Sequence, residues 1–199
     1  IFPSKYKNLV LLIFSLIFYF LGEPKYIIVL ILSCIINYII SKQIEKNKHP
    51  KLYLILSLIY NIGNLLIFKY TDFFIDNINN IFNSKIPFMR IVMPIGISFF
   101  TFQNIGYIAD VYSKKHEPCK SLINYLTYIC LFPQLVAGPI VRYNDINKEL
   151  ENREHNFNNF SEGIKRFVIG LSKKVLIANV LGEFATCILS ETVVSAWLR

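Results

Sequence analysis

The chain has 199 residues, 54% hydrophobic and 15% aromatic but only 17% charged; a soluble domain carries about a quarter charged residues, so an ordinary soluble fold is excluded and a polytopic, all-α membrane protein is indicated. The formal charge of +8 sits in short loops between apolar runs, as expected of cytoplasmic loops, and not in the aromatic-interleaved patches of a nucleic-acid interface. The cysteines Cys34, Cys119, Cys130 and Cys187 show no CxxC spacing, and three of them fall in apolar stretches where a thiol behaves as a small hydrophobe.

In chain order, the first apolar run is Leu9 to Gly22, followed by Glu23-Pro24-Lys25 and a second run from Tyr26 to Ile40. At 1.5 Å per residue these reach about 21–23 Å, short of a hydrocarbon core of about 30 Å. They read either as thin spans lengthened by flanking residues or as a hairpin that does not fully cross. Pro24 suits the start of the second helix, where its missing N–H costs nothing. Lys42 to Lys51 reads as a basic loop. Leu52 to Phe68 is a third segment, with Asn61 and Asn64 on one face; asparagines there are expected to hydrogen-bond a neighbouring helix. In the more polar stretch Lys69 to Arg90, Phe73, Phe74, Ile78, Ile81 and Phe82 recur at helical spacing. That predicts a short amphipathic helix at the membrane interface.

Ile91 to Ala109 is the fourth apolar segment. Gln103, Tyr107 and Asp110 share one of its faces, and Ser98 and Thr101 add further polar groups. Two readings stay open: an acid at the water boundary, or a polar stripe lining a cavity. Ser121 is an N-cap candidate for a helix from Leu122 to Phe132, ended by Pro133. Then comes LFPQLVAGPIVRY, Leu131 to Tyr143, which breaks twice, at Pro133 and at Gly138-Pro139. Asp145 to Asn158 reads as a hydrophilic loop and Asn159 to Glu162 as a capping box. A stripe of Ile164, Phe167, Val168, Leu171 and Val175 opposite Lys165, Arg166 and Lys173 predicts a basic amphipathic helix, facing either the membrane surface or a partner. Apolar pattern continues through Val175 to Leu189 and Val193 to Leu198. The economical organisation is a single membrane domain, 1–199. Placing both lysine loops, Lys42 to Lys51 and Lys114 to Lys120, on the cytoplasmic side requires an even number of crossings between them; Leu52 to Phe68 and Ile91 to Ala109 supply two, which puts Lys69 to Arg90 outside.

GxSxG, GxGxxG, P-loop and HExxH motifs are all missing from the sequence. His49, His116 and His155 lie in charged loops without a second ligand at metal spacing, and read as solvated histidines with no apolar wall to tune a base. The broken segment remains. Irregular backbone at membrane depth is tolerated only when buried in protein or lining a wet cavity. Gln134 then offers a donor and an acceptor, and Arg142 a site for an anion; the alternative is a proline kink with an arginine snorkelling to headgroups.

MPIGISFFTFQNIGYIADVY (Met93 to Tyr112) and YLTYICLFPQLVAGPIVRY (Tyr125 to Tyr143) resemble the membrane-bound O-acyltransferases, in the branch containing alginate O-acetyltransferase. Asn8 to Ile40 and SKKVLIANVLGEFA (Ser172 to Ala185) resemble the same branch, in the same order. The resemblance implies a many-helix enzyme of the bacterial plasma membrane with a tunnel through the bilayer. It takes an acyl group from a thioester donor or acyl-carrier protein on the cytoplasmic side, as substrate and with no bound cofactor or metal. It delivers that group to an extracytoplasmic polysaccharide or an acetyl-relay protein, with no nucleic acid involved. Gln103, Tyr107, Asp110, Gln134 and Arg142 become tunnel or substrate-binding candidates. The family's intramembrane histidine matches none of the three here and is expected beyond Arg199. The chain also starts at Ile1 and stops just after an apolar stretch, so it is expected to be an amino-proximal fragment, inactive alone. D-alanyl transfer to teichoic acid is the neighbouring alternative within the family, although Gln134 and Val141 around the shared AGPI favour the acetylating branch. A broken-helix small-solute transporter is the alternative of another class; it calls for an inverted repeat, which the sequence does not display.

Overall fold

The computed structural model describes residues 6–135, 138–151 and 156–197, with side-chain surroundings up to residue 188. Val136 and Ala137 of the broken segment, His155 and Leu198 therefore lie outside the described residues. Among those described, the regular structure is all helical, as expected. The chain divides into two compact units, Ile1–Asn152 and Arg153–Arg199.

In the first unit α1 (Lys7–Gly22), α2 (Ile27–Lys46), α3 (Pro50–Leu65), α4 (Thr71–Phe82), α5 (Ile97–Tyr112), α6 (Leu122–Cys130), α7 (Phe132–Leu135) and α8 (Tyr143–Glu151) follow in order. Helix α2 is long and apolar enough to cross a membrane. So is the continuous rod Pro50–Phe82, in which a π-turn at Leu66–Tyr70 joins α3 to α4. Helix α1 is a shorter apolar helix. Most of the predicted loop Lys42 to Lys51 is helix: α2 runs on through Lys46 because Ile44 continues its apolar face into the core, 6% exposed. Asn47 to His49 make the connection, and Pro50 opens α3. Pro24 lies in the turn before α2 and not inside its first turn.

Helices α2, α3 and α5 pack on one another, while α6 packs on α1 and α2. The α2–α3–α5 seam is polar. Asn37 and Asn61 exchange side-chain amide hydrogen bonds (2.8 and 3.2 Å), and Ser57 donates to Asn37 Oδ1 (2.8 Å). Asn104 donates to Ser33 Oγ (3.3 Å) and accepts from the Tyr125 hydroxyl (2.6 Å). Between membrane helices no hydrophobic force separates protein from lipid, so such bonds and close packing select the partners, at about 0.6 kcal/mol each. The expected role of Asn61 is realised; Asn64, half-buried, stays outside the network.

Contacts along the helices fix their directions. One end of the unit carries Lys42, Lys46, Lys48 and Lys51 together with the Lys114 to Lys120 loop, since the Tyr38 hydroxyl donates to the Lys120 carbonyl (3.0 Å). Helix α1 starts at this end: Asn8 donates to Asn124 Oδ1 (2.9 Å) in α6 and to the Leu150 carbonyl (2.6 Å) in α8. At the far end the Tyr26 and Phe68 rings meet at 5.8 Å. Helix α6 therefore rises from the lysine-rich end parallel to α1, stops after nine residues, and the chain is back at that end by Tyr143.

Four local expectations change. The predicted helix from Ile91 begins only at Ile97, because Pro94 forces its predecessor into extended backbone and Gly96 takes a left-handed conformation (φ +74). The predicted amphipathic helix is present as α4, but as the continuation of α3. Its polar residues pin the returning chain: Asn79 pairs with both backbone groups of Ile86 (2.9 Å each), and Asp72 accepts from the N–H groups of Met89 (2.9 Å) and Arg90. The expected loop at Asp145 contains α8, whose Tyr143, Ile146 and Leu150 face inward at helical spacing. Helix α6 ends at Cys130 and not at Phe132.

The second unit holds α9 (Phe157–Lys173) and α10 (Asn179–Trp197), joined by a π-turn at Lys174–Ala178. Its cap is Asn156, whose side chain accepts from Asn159 N–H (2.7 Å), three residues before the expected capping box. The Ile164, Phe167, Val168, Leu171 and Val175 stripe is exposed, and Arg166 pairs with Glu162 one turn away (2.7 Å).

Candidate functional site

The break after α6 is the centre of the candidate site. A helix running through Pro133 would press the proline ring on the Ile129 carbonyl and lose an N–H. The chain instead turns extended at Leu131 (ψ 114) and restarts as the single turn α7, with Pro133 in its first positions where no donor is needed. Interruption releases the Tyr128 carbonyl and the Phe132 N–H, which would otherwise bond each other. Gln103 Nε2 and Gln134 Nε2 both donate to the Tyr128 carbonyl (3.3 and 2.5 Å), and the Phe132 N–H donates to Ser15 Oγ of α1 (3.3 Å). The Leu131 carbonyl accepts from Gln134 and Leu135 N–H groups (3.1 Å each). Protein groups thus satisfy the backbone groups freed at the Pro133 break, one of the two conditions under which such backbone exists at membrane depth.

The tip of this hairpin is seated backbone to backbone. A Cβ on Gly96 would collide with the Leu135 carbonyl. Phe132 packs on Phe18 with ring centroids 5.7 Å apart. An apolar pocket of about 430 Å³, lined by Phe18, Tyr19, Leu21, Gly22, Glu23 and Ile95, opens beside it.

Toward the lysine-rich end lies an aromatic cluster. The Tyr107 ring lies 4.7 Å from Tyr125 and 5.3 Å from Tyr143, and Tyr128 is 5.3 Å from Tyr143. Tyr107 accepts a hydrogen bond on its hydroxyl from the Cys119 N–H (2.8 Å). Burial pushes the Cys119 thiol above its ordinary pKa, which makes it a poor nucleophile. His116 is not the solvated loop histidine its sequence context suggests. Its ring packs against Tyr107 (5.2 Å) and Tyr143 (5.1 Å), and its Nε2 is buried without a hydrogen-bond partner. Nδ1 sits 2.9 Å from the Glu117 carbonyl. A cleft of about 620 Å³ at this end is lined by Asn47, Lys48, Lys114, His116 and Glu117 among others. His49 is exposed at the start of α3, in line with its reading.

The five site candidates thus separate. Gln103 and Gln134 meet at the break, from different elements. Tyr107 and Asp110 lie nearer the lysine-rich end, and Asp110 holds Lys115 in an ion pair (2.9 Å). Arg142 is exposed, just before α8. Three residues at the break carried no sequence signal of chemistry: Ser15, Gly96 and Tyr128, the last acting through its carbonyl. Groups of three or more His, Cys, Asp or Glu able to hold a metal are absent among the described residues.

Residues 115–197 match the model of the membrane-bound O-acyltransferase family. Over 98% of its length the chain is 36% identical to a probable alginate O-acetylase of Pseudomonas syringae pv. tomato and 35% identical to that of Pseudomonas aeruginosa. Over 90% of its length it is 35% identical to a peptidoglycan O-acetyltransferase of Helicobacter pylori. In each case the chain spans about 40% of the relative's own length. No solved structure gives a significant match.

Proposed function

Because the chain belongs to the membrane-bound O-acyltransferase family, we propose that it is the amino-proximal part of a plasma-membrane enzyme. That enzyme moves an acetyl group from a cytoplasmic thioester donor to a hydroxyl of an extracytoplasmic polysaccharide, directly or through a relay protein. The observation that carries this reading is similarity along nearly the whole chain to proteins named for O-acetyl transfer to two different glycans. The same names support acetyl over D-alanyl transfer. The lysine-rich end of the first unit faces the cytoplasm, where the donor or its carrier protein arrives.

Attack of a hydroxyl on a thioester needs a base of near-neutral pKa and a path that excludes water. The base is the family's histidine, outside residues 1–199. Residues here wall the path: Gln103 and Gln134 hold the break open at the Tyr128 carbonyl, Tyr107 and Asp110 continue the stripe toward the cytoplasmic end, and Arg142 meets the donor's anionic part. The test uses membrane vesicles containing either the full-length protein or residues 1–199 alone, a radiolabelled acetyl thioester and a hydroxyl-bearing oligosaccharide. Labelled ester is expected from the full-length protein and none from residues 1–199. A full-length protein without transfer refutes the activity, and transfer by residues 1–199 refutes the placement of the base.

A further inference from the structure

Helix α1 looks like an anchor by composition, yet it touches both halves of the seat that holds the broken segment. Ser15 and Tyr19 are spaced four apart and so lie on one face, and Glu23 follows as the residue that caps the helix. Ser15 is fully buried, and its Oγ takes the orphan N–H of Phe132 on one side of the seat. Tyr19, 3% exposed, donates its hydroxyl to the Ile95 carbonyl (3.1 Å), and Glu23 Oε2 accepts from the Ile95 N–H (2.9 Å), on the other side. Ile95 is followed by Gly96, whose bare backbone receives the Leu135 carbonyl. One helical face therefore grips the hairpin tip at Phe132 and the turn on which that tip rests.

We propose that Ser15, Tyr19 and Glu23 are positioning residues: they set the depth and orientation of the broken segment, and with it Gln134, for the acyl transfer proposed above, on which this inference rests. The hydrogen bonds of the three side chains all go to main-chain groups, so they act through the segment they hold. Glu23 is used here for geometry, as a two-electron-pair acceptor for an N–H at a turn. Glutamine keeps that acceptor and alanine does not.

The experiment compares full-length protein with its Ser15→Ala, Tyr19→Phe, Glu23→Ala and Glu23→Gln variants in vesicles, scaled to inserted, monodisperse protein. Misplacing a reacting geometry by a fraction of an ångström to an ångström costs about 10- to 100-fold in rate. Ser15→Ala, Tyr19→Phe and Glu23→Ala are expected to lower the rate at saturating donor and acceptor at least about 10-fold, with both KM values nearly unchanged. Glu23→Gln is expected to stay near the wild-type rate. A second readout does not depend on activity. In a chain whose native cysteines are alanine, Phe18→Cys and Phe132→Cys are cross-linked by a short bifunctional maleimide, and Ser15→Ala or Tyr19→Phe is expected to lower the yield. If the wild type transfers acetyl but Ser15→Ala and Tyr19→Phe match it, the positioning role is overturned and the activity stands. If the wild type transfers nothing, the activity is refuted, and an unchanged cross-linking yield then overturns the positioning as well.

Discussion

Single residues decide the break between α6 and α7, and they do so by steric exclusion as much as by attraction. Pro133 cannot continue α6. Gly96 is the reverse case, since its missing side chain is what lets the Leu135 carbonyl approach, and its positive φ disfavours any L side chain. Gly96→Ala is expected to cost about 2–4 kcal/mol through overpacking and backbone strain, seen as a lower apparent Tm of the detergent-solubilised protein. Gly106→Ala on the same helix meets nothing within 4 Å and is expected to leave that Tm unchanged or raise it slightly. Equal effects of the two substitutions would refute the close seat. His116 shows where residue-level reading of the sequence stops. Lysines and a glutamate surround it in the chain, but Tyr143, 27 positions away in the sequence, supplies half of the aromatic wall against its ring.

At the scale of elements, the apolar runs were legible because a membrane helix satisfies its backbone internally and must be greasy outside. Their ends were less so. Helix α2 outran its apolar run because lysines ride on its outer face while Ile44 stays inside. Helix α8 was hidden in a polar stretch because only Tyr143, Ile146 and Leu150 mark its buried side. The largest consequence concerns direction: α6 runs parallel to α1, and the chain returns to the same end as α8. Both ends of segment 122–143 thus lie at the lysine-rich end of the unit, and the segment is expected to enter and leave the bilayer on one side. In a cysteine-free chain, Ser113→Cys and Lys148→Cys are expected to react with an impermeant maleimide from one side of sealed vesicles, and Asn80→Cys from the other. Labelling of Lys148→Cys on the side opposite Ser113→Cys would mean that 122–143 crosses the bilayer.

For the molecule as a whole, the first unit presents a lysine-rich face carrying a cleft of about 620 Å³ and a hairpin reaching inward from that face. Arg142 stands exposed where the hairpin leaves, so its removal costs little folding energy. In the full-length protein Arg142→Ala is expected to lower acetyl transfer at least several-fold while leaving membrane insertion intact; an unchanged rate per inserted molecule would take Arg142 out of the donor's path. The amino-acid sequence by itself determined the helical membrane class, the breaks at Pro133 and Gly138-Pro139, and the family, because hydropathy, proline geometry and motif order are local properties of the chain. Tertiary structure alone decided that Gln103 and Gln134 share one carbonyl, that Ser15 of α1 completes the break, and that His116 is packed among tyrosines. Each of these depends on groups that pair across helices, and in a bilayer such pairing is selected by hydrogen-bond geometry and close packing, which hydropathy along a single segment does not encode.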